Sequence, residues 1–164
     1  MVIKSNTMKK FDITVTVEAL AASDLSDSES RLVDLARQAT YRSYAPYSHF
    51  CVGAAILLDN GEVVTGANQE NVAYPSGTCA ERSACYYAGA TYPDARFVAI
   101  AIASRGTDGE PTTQPCAPCG ACRQALLEYE MRAGHDVAVL LVGSDTVYRL
   151  PSVKALLPLA FTEF

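Results

Sequence analysis

Apolar residues recur every second position in some stretches of this chain and every third or fourth in others, and the change of period marks the elements. Phe11-Asp12-Ile13-Thr14-Val15-Thr16-Val17 alternates strictly, which predicts a half-buried strand added to a sheet edge. Residues 1–10 before it are largely polar and are expected to fray. Ala21 to Ser30 is a Ser/Asp-rich linker leading into a helix. Ser26 and Glu29 have capping-box spacing, and Leu32, Leu35, Ala36 and Ala39 then share one apolar face. That helix should end before Pro46. Cys51 to Leu58 and Glu62 to Gly66, joined by Asp59-Asn60-Gly61, read as a hairpin, because Asn-Gly supplies the positive φ of a tight turn.

Helices are predicted over 79–90 and 119–132, the second with Cys122, Ala125, Leu126 and Tyr129 on one face. Phe97 to Ala103 and Val137 to Val142 are continuous apolar runs of strand length, and Ser152 to Leu157 reads as a short final helix. A hairpin followed by alternating helices and strands predicts an α/β fold, a three-layer α/β/α sandwich around one mixed sheet of about five strands. Residues 26–164 are expected to form the functional domain. Residues 1–25 are read as an N-terminal extension, partly disordered, that carries the edge strand.

With 164 residues, 49% hydrophobic and 19% charged, the chain supports one sizeable core and is neither disordered nor a coiled coil. A net charge of -5 with scattered arginines excludes a polynucleotide partner, which would need clustered Lys and Arg. No run approaches the ~20 apolar residues of a membrane span, and no basic-then-apolar leader opens the chain. A soluble, cytoplasmic protein with a small uncharged substrate is expected.

Cysteine placement adds the chemistry. Cys51, Cys79, Cys85, Cys116, Cys119 and Cys122 are too sparse for a disulfide scaffold, and the last three crowd together as metal or catalytic thiols do. Pro118 sits where a helix begins, so Cys119 and Cys122 lie one turn apart and can share a metal. Cys79 opens a second helix, and Glu81 follows it. Three thiolates leave one of zinc's four positions open, and a neighbouring carboxylate can move the protons of a water held there. Arg82 and Arg123 each directly follow a motif residue and are placed to offset thiolate charge by donating to sulfur. Cys116 and Cys119 have the same Cys-x-x-Cys spacing. Pro118 forces residue 117 toward extended backbone, which favours Cys119 and Cys122 and leaves Cys116 in the approaching loop. Cys51 and Cys85 read as buried core thiols. His49 and His135 are isolated, so neither a fourth zinc ligand nor a Cys/His nucleophile is evident.

The chain resembles the small, homotetrameric, three-cysteine cytidine deaminases over roughly residues 28–161. The resemblance rests on Tyr47-Ser48-His49-Phe50 with Val52-Gly53-Ala54-Ala55, on Asn68-Gln69-Glu70-Asn71, Tyr74-Pro75 and Cys79-Ala80-Glu81-Arg82, and on Pro118 to Gln124 and Leu156-Leu157-Pro158 with Phe161. It implies one zinc ion per subunit on Cys79, Cys119 and Cys122. It also implies hydrolytic deamination of cytidine and 2′-deoxycytidine in pyrimidine salvage, with Glu81 as proton shuttle while an activated water attacks the amino-bearing ring carbon. By the same resemblance Phe50, Asn68, Glu70, Tyr74, Ala80 and Phe161 contact substrate: Asn68 and Glu70 at the ribose hydroxyls, Phe50 on the pyrimidine, Tyr74 and Phe161 at sites shared between subunits of a homotetramer. Two other readings stay open, a deaminase of an aminopyrimidine nucleoside antibiotic such as blasticidin S and a non-catalytic zinc-binding module. Turnover of cytidine separates them.

Overall fold

The computed structural model describes residues 9–163. Its sheet contains strands β1 (Glu18–Leu20), β2 (Cys51–Leu58), β3 (Val63–Ala67), β4 (Phe97–Arg105), β5 (Ala138–Val142) and β6 (Val147–Leu150), in the order β1-β6-β5-β4-β2-β3. β4 and β5 are parallel, and the other neighbours pair antiparallel. The helices are α1 (Asp27–Ala39), α2 (Ala80–Thr91) and α3 (Gly120–Ala133), with a 3-10 turn at Val153–Leu156.

The sheet has six strands rather than about five, and its edge is not where the alternation places it. Residues 11–17 belong to no strand, with Phe11, Ile13, Val15 and Val17 exposed, and pairing begins only at Glu18. The register explains this. Glu18 faces Arg149 and Leu20 faces Val147, so a strand extended backward through Thr16 would meet Pro151. Proline has no N–H to give a ladder. Most of the residues expected to fray, 1–8, lie outside the described ones.

Local chemistry sets α1 as predicted. Ser26 Oγ accepts from the Glu29 N–H, and the Glu29 carboxylate accepts the Ser26 N–H at 2.9 Å. Its buried face is Leu32, Val33, Ala36 and Ala39, and the expected Leu35 is half-buried against the same cluster. Val33 and Leu35 flank the i, i+4, i+7 stripe, and the sheet covers the Val33 side more completely.

Alternation along β2 and β4 divides the core between two faces. Ala54, Ile56, Ile100 and Ile102 point to one side and pack with Ala84, Ala88, Leu126 and Leu127 of α2 and α3. Ala55, Ala99, Ala101 and Ala103 point to the other and meet Leu32, Val33 and Ala36 of α1. One helix on one face and two on the other make the α/β/α sandwich. At Gly53 a Cβ would stand 2.3 Å from the Ala36 carbonyl, so α1 approaches as closely as it does only because that side chain is missing.

β3 and β4 both run antiparallel to β2 and therefore parallel to each other. Each is followed by a crossover helix on the same face, α2 after β3 and α3 after β4. Two such helices must begin at the same end of the sheet, beyond the carboxyl ends of their strands, where open α/β sheets bind ligands.

Candidate active site

The N-caps of those two helices are cysteines: Cys79 caps α2 and Cys119 caps α3, both with extended backbone. Cys122 and Glu81 then fall in the first turns, tilted toward the helix N-termini. The sulfurs of Cys79, Cys119 and Cys122 lie within 4.8 Å of one another, with 4.0 Å from Cys79 to Cys119 and 3.5 Å from Cys119 to Cys122. Tetrahedral zinc with bonds of about 2.3 Å needs sulfurs roughly 3.8 Å apart, so this set fits the ion. Cys116 stands outside the cluster, its thiol turned to the Ala117 carbonyl, and burial pushes it up. Cys51 and Cys85 are buried, and Cys85 is raised to about 12 by burial.

Among the protein groups alone, the hydrogen bond with Cys122 and the neighbouring Arg82 hold the Cys79 thiol down to about 5. That same bond, together with burial, drives Cys122 up. Cys79 has a cationic partner. Arg82 Nη2 donates to its sulfur at 3.8 Å, and two helix N-termini add their partial positive charge.

Arg123 does not donate to sulfur as expected. Its Nε reaches the Pro118 carbonyl at 2.8 Å and its Nη1 the Leu156 carbonyl at 2.7 Å. Residue 123 follows the third ligand by one position, which turns its side chain back along the loop instead of toward the thiols. It braces that loop from behind.

Glu81 is only 4% exposed, yet lines the cavity beside the thiols. Burial pushes its carboxyl above the ordinary range, and the Cys79 charge adds to the rise. The cavity has a volume of about 420 Å³ and is also lined by Phe50, Asn68, Glu70, Tyr74, Cys79 and Cys119. Such a volume suits a small-molecule ligand.

Asn68 and Glu70 follow β3 and organise the opposite wall. Asn68 Oδ1 accepts from Ser43 Oγ and, at 2.7 Å, from Val52 N, while Nδ2 donates to the Phe50 carbonyl at 2.9 Å. Glu70 Oε2 accepts the N–H groups of Tyr47 and Ser48 at 2.9 and 3.2 Å. A hydrogen bond with the Ser48 side chain is the largest reason its carboxyl lies below the usual range. His49 takes a positive φ of 58°, turning the chain between Ser48 and Phe50. Both polar side chains thus hold the loop that carries Phe50. Both side chains also line the cavity.

Two expected contacts are placed differently. Ala80 is fully buried in the core, so its methyl does not line the cavity; only its N–H, in the first turn of α2 where helices lack internal acceptors, can serve a ligand. Phe161 is absent from the cavity of its own chain and stands 63% exposed, its carbonyl bound by Gln124 Nε2 at 2.9 Å. Sequence reasoning missed Ser43 and Gly66, and it placed Ser48 in a motif without giving it a role. The serines act through loop contacts that no periodicity reports. Gly66, within β3, carried the signal of close backbone approach: a Cβ there would stand 2.5 Å from Ala84 N and 2.6 Å from Ala80 O of α2.

Comparison with known proteins agrees with this geometry. Residues 26–135 match the family model described as the cytidine and deoxycytidylate deaminase zinc-binding region. The chain is 40% identical over 131 residues to a cytidine deaminase of Halalkalibacterium halodurans, covering 80% of this chain and 92% of that protein. It is 45% identical over 105 residues to that of Mycobacterium tuberculosis, covering 62% and 74%. The crystal structure of the Burkholderia pseudomallei cytidine deaminase superposes with a TM-score of 0.67 at 37% identity, over 84% of this chain and all of that one. With the three-thiol cluster, the buried Glu81 and the sandwich in place, the chain belongs to the zinc-dependent cytidine and deoxycytidylate deaminase family.

Proposed function

We propose that this protein hydrolyses cytidine and 2′-deoxycytidine to the corresponding uridines and ammonia, serving pyrimidine salvage. One observation carries the reading: a buried carboxylate, Glu81, set beside a three-thiol metal cluster in a cavity with polar groups on its far wall. Cys79, Cys119 and Cys122 would hold one zinc ion per subunit, a Lewis acid that makes water nucleophilic at neutral pH. Glu81 takes a proton from the attacking water and passes it to the ring nitrogen beside the amino-bearing carbon, where the new C–O bond forms. It then carries the remaining water proton to the amino group. The C–N bond breaks with its electron pair on nitrogen, and ammonia leaves. One water is consumed, one ammonia is released, and no oxidant is required. A raised carboxyl suits a group that must both accept and release a proton.

The far wall supports a nucleoside. Glu70 accepts from a ribose hydroxyl and the Asn68 amide donates to its neighbour, while Phe50 packs on the ring. A carboxylate here repels a phosphate, so the nucleoside is preferred to the nucleotide. Arg82 relieves thiolate charge. The position of Phe161 outside its own cavity, and of Tyr74 at the rim with 78% exposure, supports a homotetramer with shared sites. Among the described residues no helix is long and apolar enough to cross a membrane. Six free cysteines fit a reducing, cytoplasmic setting.

Glu81→Ala tests the mechanism. It should cut kcat by at least about a hundredfold, the usual worth of acid–base catalysis, while zinc stays bound. Loss of the metal along with the activity would assign Glu81 a structural role instead.

A further inference from the structure

The segment after β6 runs back along α3, held by three side chains of that helix. Glu130, 2% exposed, accepts four hydrogen bonds. Val137 N and Val153 N reach Oε2 at 2.9 and 2.7 Å; Ser152 Oγ and Lys154 N reach Oε1 at 2.8 and 3.2 Å. Arg123 lies seven residues earlier, about two turns and 10.5 Å along the same face. It binds the Leu156 carbonyl, and its neighbour Gln124 binds that of Phe161. As the tail advances from 152 to 156, its anchor retreats along α3 from 130 to 123, and at 161 the tail is still held at that end, by 124. The tail is therefore antiparallel to α3 and heads for the end that bears Cys119 and Cys122.

Only a carboxylate suits the first anchor. It offers about four acceptor sites and no donor, matching three backbone N–H groups and one hydroxyl. An apolar residue there would strand three buried donors, Val137 N, Val153 N and Ser152 Oγ, and an amide would turn an N–H against some of them. Nothing in the deamination chemistry uses this group.

We infer that Glu130 is a positioning residue for the reaction: it sets the register of the tail so that Phe161 reaches the metal-bearing end of α3 and completes the substrate pocket of a neighbouring subunit. The inference rests on the proposed sharing of sites and adds the device that makes it accurate. Phe161 lies seven positions beyond Lys154, so a slip at the Glu130 anchor shifts the start of the segment whose far part Arg123 and Gln124 hold.

Four variants test it: Glu130→Gln, Ser152→Ala, Phe161→Ala, and the Glu130→Gln/Phe161→Ala double variant. Zinc content, melting temperature, kcat and KM for cytidine are read on each. Phe161→Ala should raise KM about tenfold, and Glu130→Gln nearly as much, with kcat within about twofold and zinc complete, the signature of lost uniform binding. The double variant should be no worse than Phe161→Ala, because both changes remove one contact. Ser152→Ala deletes a single bond to Oε1 and should raise KM by a smaller factor. It decides the matter if Glu130→Gln does not fold. If Phe161→Ala raises KM while Glu130→Gln and Ser152→Ala only lower the melting temperature, Glu130 is structural and the inference fails. A fall in kcat or zinc in Glu130→Gln would also overturn it, by showing action on the metal end of α3. If Phe161→Ala leaves KM unchanged, the shared-site reading itself is wrong.

Discussion

At the scale of single residues, polar side chains of the cavity wall hold the loop that carries Phe50. Glu70 shows this most plainly: its Oε2 accepts the Tyr47 and Ser48 N–H groups while the residue lines the cavity, where we propose that it meets substrate. Glu70→Gln should raise the KM for cytidine at least about tenfold, since a site built to bind a hydroxyl loses heavily when a partner changes. Its zinc-to-protein ratio should equal that of the unaltered protein; equal loss of both would mean that the loop had collapsed. The clustering of Cys79, Cys119 and Cys122 was legible in the sequence because spacing and helix-start chemistry act locally. The placements of Arg123 and Ala80 were not. Which carbonyl a guanidinium meets depends on Leu156, far along the chain, and Ala80 faces a core that no local pattern reveals.

Elements are joined by contacts of the same kind. Arg149 donates through Nε and Nη2 to Glu29 at 2.8 Å and through Nη1 to Glu18 at 3.0 Å, tying β6 to both α1 and β1. Burial by itself would raise the Glu29 carboxyl, but bonds from Arg149 and Ser26 outweigh it and lower the group below its ordinary value of 4.5. A depressed carboxyl contributes stability that is complete above its unfolded value and is lost as pH falls through the folded one. The urea midpoint of the native protein should therefore exceed that of Glu29→Gln at pH 7, and the gap should shrink as pH drops below about 4.5. A gap that widened in acid would contradict this. Gly66→Ala probes the α2–β3 contact, where the new Cβ would press on helix backbone. It should displace the helix that carries Cys79 and Glu81, lowering zinc retention as well as melting temperature. Helices and central strands were readable because their periods are long and their caps explicit. β6 was not, being four residues between Asp145 and Pro151, and Phe11 to Val17 was misread because alternation reports a strand's faces but not whether it has a partner.

For the whole molecule, convergence of the two helix N-termini follows from topology. β3 and β4 are parallel because both oppose β2, and each feeds a helix on the same face. Cys79 and Cys119, forty residues apart, meet for that reason, with a sulfur–sulfur distance of 4.0 Å. Sheet order was beyond the sequence, since pairing is settled by packing between distant segments. The family's motifs nevertheless implied the convergence before the order was known. The most direct test of the account follows the ultraviolet absorbance of cytidine in the presence of zinc-loaded protein, chelated protein, and chelated protein with zinc restored. Absorbance should fall with the loaded protein, hold steady after chelation, and fall again once zinc is returned. Cytidine left intact by the fully loaded protein, or consumed as fast after chelation as before, would contradict it.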